Sequence, residues 1–186
     1  KIELKAPENY SPKTSLFRTI WLLHSGELFG TPGKLVVDFL GVVLIILSIT
    51  GIIYTFLPSF IRRRHRKRLP VKTQAKALKT SLNWHNKLGT WLIVLTILLS
   101  VTGMCLRPPL MIPFVLVNTN PIPGTTLDSD NPWHDKLRSI RWDASKNVWL
   151  LSSSTGFYLI NDFTLPPVKL KRTPPVSPMG VNVFYP

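Results

Sequence analysis

The sequence predicts a membrane α-helical fold: two transmembrane helices in this chain, with a small β-rich extracytoplasmic lobe. Three observations predict it. Two apolar runs are each long enough to cross a bilayer. Positive charge is concentrated between them. After the second run, prolines are dense and short β-prone segments alternate with turn residues.

The first run, Leu35 to Leu57, reads LVVDFLGVVLIILSITGIIYTFL and carries one charge, Asp38. The second, Leu88 to Leu106, reads LGTWLIVLTILLSVTGMCL and carries none. About 20 apolar residues in a helix span ~30 Å of hydrocarbon. Pro108-Pro109 follows the second run and stops a helix there.

The chain has 186 residues and a net charge of +14. From Pro58 to Asn86 there are nine Lys/Arg and no Asp/Glu; with Lys87 this stretch holds +10, leaving +4 for the rest. Short loops rich in Lys/Arg stay cytoplasmic. Residues 58–87 are therefore expected to form a basic cytoplasmic loop. Residues 1–34, with an interfacial helix, and 107–186 are expected on the outer side. The basic run RRRHRKR (62–68) abuts a membrane exit and lacks interleaved aromatics. It reads as a topology signal and an anionic-lipid contact rather than a nucleic-acid site.

The single cysteine, Cys105, excludes a disulfide within the chain and a Cys-rich metal site. The chain does not begin with Met and opens without a signal-peptide pattern, so it is expected to be processed or part of a longer protein.

The outer segment holds 12 of the 17 prolines from Pro108 onward. Strands are expected at Ser139–Trp142, Asn147–Ser152 and Gly156–Ile160, with turns at Asp143–Lys146 and Ser153–Thr155. That is a small antiparallel meander, and a further strand is expected around Val181–Tyr185. Asp128, Asp130 and Asp135 read as turn residues. No nucleophile–base constellation, phosphate loop or carboxylate cluster is present.

The two spans echo each other, SITG (48–51) against SVTG (100–103). Small residues recur at sevenfold spacing, as Gly41, Ser48 and Thr55 and as Gly89, Thr96 and Gly103. Such seams permit close helix approach in lipid. His85, Gly89, Leu92, Thr96, Ser100 and Gly103 follow helical spacing and define one face.

There are four histidines. His65 lies inside the basic run and reads as solvated; His134 reads as surface. His24 ends SLFRTIWLLH, apolar enough to dip into the outer interface. His85 lies in WHNKLGTW, at the inner mouth of the second span. Each of these two is an interfacial anchor or a metal ligand, because ionisable residues at membrane depth are functional by default. Placed at opposite ends of ~30 Å of hydrocarbon, they cannot share one metal. If both are ligands there are two sites, and each needs a second ligand from elsewhere unless it stays five-coordinate.

LLHSGELFGTPGKLVVDFLG (22–41), SITGIIY (48–54), NWHNKLGTW (83–91) and TGMCLRPPLMI (102–112) together resemble the PepSY-associated transmembrane proteins of bacteria. DKLRSIRWD (135–143) and PPVSPMGVNVF (174–184) fit more loosely. The resemblance covers most of the chain. Members typically carry a further helix before and after the matched stretch, so this sequence looks like the middle of such a protein.

Some members resemble ferric-siderophore reductases that hold haem b on membrane histidines. The resemblance implies His24 and His85 as haem-iron ligands, with partner ligands from other helices. It also implies the bacterial inner membrane, and electron transfer outward to an iron-siderophore in iron uptake. Arg18, Glu27 and Asp38 lie near His24 in sequence and are candidates to tune it or bind propionates. A different class of reading is a non-catalytic accessory subunit that packs against partner helices. A regulator of membrane proteolysis is a third, by analogy with soluble PepSY domains.

Overall fold

The computed structural model describes residues 4–176. The strand expected at Val181–Tyr185 lies outside them. In chain order the elements are β1 (Thr14–Ser15), α1 (Leu16–Ser25), α2 (Gly30–Arg66), α3 (Lys72–Cys105), α4 (Met111–Leu116), β2 (Asn118–Thr119), β3 (Leu137–Asp143), β4 (Val148–Ser153), β5 (Gly156–Ile160) and β6 (Val168–Lys169). They divide into two compact units. One runs from Ile20 to Met111. The other combines residues 4–19 with residues 112–176.

The first unit is a pair of long helices packed side by side, α2 of 37 residues and α3 of 34. Only 11% and 6% of their most apolar 18-residue windows are buried inside the fold. The core helix of a water-soluble protein would be mostly covered. Here Leu35, Phe56, Trp91 and Val94 are more than three-fifths exposed. Such a surface is stable only in an apolar solvent, so these are transmembrane helices and the bilayer is their surround.

The two helices run well past their apolar stretches. Residues 58–87, expected as a loop, are helical except for the turn at 67–71. Hydropathy marks where lipid ends, not where the helix ends. The flanks are rich in Arg, Lys, Ala and Leu, which are good helix formers in water as well. Pro58 sits inside α2 just after the apolar run. The helix stops where Arg68 takes a left-handed conformation (φ 56°) and the Leu69 N–H reaches back to the Arg64 carbonyl (3.1 Å), with Pro70 following. As expected, α3 ends before Pro108.

Between α1 and α2 the chain reverses through a 3₁₀ turn, Glu27–Phe29. Gly26 (φ 76°) and Gly33 lie backbone against backbone, and a Cβ on either would overlap the other's main chain. That contact seats the turn that follows α1, just after His24, against the first turns of α2.

The second unit is the β-rich lobe. Its four-stranded antiparallel sheet runs in the order β3-β4-β5-β6, and the first three strands coincide with those expected. Trp133, Leu151, Tyr158 and Ile160 form its core. Trp133 stands edge-on to Tyr158, with centroids 5.3 Å apart, and its indole N–H donates to the Lys5 carbonyl at 2.8 Å. The N-terminal segment is thus part of this lobe, and β1 pairs antiparallel with β2. Arg18 makes a two-pronged ion pair with Asp135 (2.8 and 2.5 Å). Asp135 adopts φ 57° to present its carboxylate.

Candidate functional site

Each of the two histidines singled out in the sequence is held by the opposite half of the helical unit. His24, near the end of α1, meets α3: its Nδ1 lies 3.1 Å from the Leu99 carbonyl oxygen and 3.0 Å from Thr102 Oγ1. His85, on α3, meets α2: its Nδ1 lies 2.9 Å from Thr50 Oγ1.

The proton positions follow from the acceptors. A carbonyl oxygen only accepts, so His24 carries its hydrogen on Nδ1. The Thr102 hydroxyl donates to the Leu98 carbonyl (2.8 Å), leaving a lone pair for the same N–H. The Thr50 hydroxyl donates to the Ile46 carbonyl at 2.7 Å and so accepts from His85 Nδ1–H. Ser81, one turn before His85, donates to the Thr50 carbonyl (3.2 Å) and fixes the same contact from the backbone side.

With the hydrogen on Nδ1, the uncharged form of each ring has a lone pair on Nε2. Neither Nε2 has a hydrogen-bond partner among the described residues. Nδ1 anchored to an oxygen with Nε2 open is the arrangement a metal-binding imidazole uses, since the anchor orients the ring and raises its basicity. Each histidine thus offers one nitrogen that could serve as a single metal ligand. Among the described residues no group of three or more His, Cys, Asp or Glu could hold a metal ion. Either imidazole therefore needs a further ligand from elsewhere, or leaves a coordination position open.

The S-x-T-G echo acquires a physical meaning here. Thr50 and Gly51 end SITG; Thr102 and Gly103 end SVTG. In each, the threonine anchors a histidine and the glycine lies against its ring, tightly at Gly103 and in ordinary contact at Gly51. A Cβ at Gly103 would lie 3.0 Å from His24 Cε1, and one at Gly51 would lie 3.5 Å from His85 Cε1. Helical spacing set Gly103 on the face of His85, but Gly103 receives His24, while Gly51 of the other helix receives His85. Glycine and threonine in apolar helices are usual packing residues, so only the pairing across helices reveals this role.

His85 lies deeper than a residue at the mouth of the span. Its partner Thr50 is seven residues inside Leu57, about 10 Å along α2. The difference arises because α3 begins at Lys72, not at Leu88. His24 reaches α3 at Leu99 and Thr102, some 14 to 17 residues beyond His85, which is roughly 25 Å along the helix. One metal ion cannot take both rings.

Beside the His24 anchors lies an apolar pocket of about 280 Å³, lined by Leu23, Phe29, Val37, Leu95, Leu99 and Thr102 among others. The charged neighbours proposed for His24 go elsewhere. Arg18 pairs with Asp135, and Glu27 pairs with Lys34 at 2.9 Å. Asp38 is exposed on α2. Ser48 and Thr55 are exposed and spend their hydroxyls on their own helix, at the Leu44 (2.8 Å) and Gly51 (2.9 Å) carbonyls. An added Cβ at Gly41 meets nothing within 4 Å. This seam is therefore not used between α2 and α3. His65 and His134 are both exposed, and His134 Nε2 bonds the Thr126 carbonyl (2.6 Å).

Two lipid-exposed helices, a β-rich lobe, and two half-buried imidazoles each held by a threonine of the helical unit describe a membrane protein with two separate single-histidine positions. The family model described as the PepSY-associated TM region matches residues 7–138, more than half of the chain, and the protein belongs to that family. No curated protein and no solved structure is significantly similar to the chain.

Proposed function

We propose that this protein holds haem b on His24 and His85 in the bacterial inner membrane and passes electrons outward to an iron-siderophore. In this reading the basic turn is cytoplasmic and both terminal segments are periplasmic. The observation that carries the proposal is the shared anchoring of the two rings: Nδ1–H on a threonine hydroxyl, Nε2 free, at two depths roughly 25 Å apart. The nine Lys/Arg between Pro58 and Asn86 support the orientation.

A bound haem supplies a one-electron carrier. The chain's own residues do the rest. Leu99 and Thr102 keep the proton of His24 on Nδ1, and Thr50 does the same for His85. Gly103 lets the His24 ring sit close against α3. Lipid and the apolar side chains exclude water, which strengthens each of these bonds. Partner ligands come from other helices.

The test is an absorption spectrum of the full-length protein in detergent. A Soret band that shifts on dithionite addition, and that weakens in His24→Ala and in His85→Ala, is expected. A colourless protein would overturn the proposal. The unused seam at Gly41, Ser48 and Thr55 favours a second reading, an accessory subunit whose helices pack against partners. That reading expects a colourless protein co-purifying with a fixed membrane partner.

A further inference from the structure

The lobe contains a groove of about 750 Å³ that the histidine sites do not involve. Small-molecule sites typically measure some 300–1,000 Å³. Four lysines line it, Lys13, Lys136, Lys169 and Lys171, against a single acidic residue, Glu8. Like charges gathered around one concavity repel each other, and an anion between them removes that repulsion. The walls are aromatic. Tyr10, Trp133 and Tyr158 all contribute.

Lys136 is the best-defined cation. Its Nζ lies over the Tyr10 ring, 4.7 Å from the centroid, and donates to the Ser11 carbonyl. Burial holds its pKa below the ordinary lysine range, the mark of an ammonium short of solvation. Lys169 lays its stem across Gly156, where a Cβ would lie 2.8 Å from the lysine Cε, and is paired in register with Tyr158. The Trp133 indole N–H is already committed to the Lys5 carbonyl, and the Tyr158 hydroxyl bonds Thr155 Oγ1 (3.0 Å). The rings are therefore walls, and the lysine ammoniums, each with three N–H donors, are the groups that can meet a ligand.

We propose that this groove binds a small organic polyanion that carries an aromatic or apolar face. The lysines neutralise its carboxylates as movable point charges, and the rings cover its planar part. The site stands apart from the histidine positions, and its fate does not depend on haem.

The experiment is calorimetric titration of the full chain in detergent with benzene-1,3,5-tricarboxylate. Binding that weakens as salt rises is expected. Removing two of the four charges in Lys136→Gln/Lys169→Gln should weaken it by about tenfold. Because that pair touches the sheet, Lys13→Gln/Lys171→Gln provides a second test on exposed residues, with a loss of about threefold or more. The same charge removed from the helical unit, Lys72→Gln/Lys79→Gln, should change nothing beyond a factor of about two. The uncharged benzene-1,3,5-trimethanol should not bind. The proposal is overturned if the folded protein fails to bind the tricarboxylate. It is also overturned if the three double variants weaken binding equally, or if the neutral triol binds as well.

Discussion

Replacing the glycines of the two S-x-T-G stretches by alanine should have opposite effects, and the distances set the signs. Gly→Ala within a helix gains about 0.5–1 kcal/mol from backbone entropy and propensity. At Gly51 the new methyl would sit 3.5 Å from His85 Cε1, an ordinary contact, so Gly51→Ala should be neutral or stabilising by up to that amount. At Gly103 the methyl would sit 3.0 Å from His24 Cε1. The ring cannot retreat freely, because its Nδ1 is tied to Leu99 and Thr102. Overpacking of this kind costs about 1–3 kcal/mol, and a strained hydrogen bond between membrane helices adds about 0.6. Gly103→Ala should therefore be destabilising by roughly 0.5–3 kcal/mol after the helix gain is subtracted. Thermal unfolding in detergent, followed by helical circular dichroism, reads both. A Gly103→Ala protein as stable as Gly51→Ala would refute the close seating of His24 on α3.

Four further outcomes follow from the same structure. Thr50→Val and Thr102→Val keep the shape but remove a ring anchor; each should cost about 0.6–1.7 kcal/mol of helical-unit stability, measured by detergent unfolding, and no loss in either would contradict the anchoring of the rings by these hydroxyls. Asp143 accepts from the Ser145 hydroxyl (2.6 Å) and from the Ser145 and Lys146 N–H groups, and these bonds, led by the Ser145 hydroxyl, hold its pKa below the ordinary aspartate range. A depressed carboxylate stabilises the fold above its unfolded pKa, near pH 4, and loses that contribution as pH falls through the folded value. Acid unfolding of the lobe should show this loss, and Asp143→Asn should flatten it. Ser152 Oγ is fully buried without a hydrogen-bond partner among the described residues, so Ser152→Ala should stabilise the lobe by about 1 kcal/mol, and a lower melting temperature would contradict this. Asp135→Asn keeps a residue that tolerates φ 57° but removes the charge facing Arg18; a loss of about 1–3 kcal/mol in lobe stability is expected in denaturant titration.

The parts legible in the sequence are those where solvent or a turn dictates the pattern. Lipid requires an unbroken apolar run, so both spans could be read directly. Asp143 to Lys146 and Ser153 to Thr155 mark the hairpins, and the three main strands fall beside them. The ends of the helices were not legible, because RRRHRKR and KTQAKALK form helix as well outside lipid as apolar residues do inside it. The pairing of Thr14 and Ser15 with Thr119 and Asn118 carries no periodic signal over two residues, so the place of the N-terminal segment in the lobe was hidden. The histidines were visible as ionisable groups near apolar runs. Their anchors were visible only as an echo, because a repeated S-x-T-G names no partner until the helices are packed.

The measurement that bears most directly on the proposed function is haem content per chain, by pyridine haemochrome, in the full-length protein purified from membranes. His24→Ala and His85→Ala are expected to lower it separately, and the double variant to abolish it. Equal haem content in the wild type and the folded double variant would contradict the account.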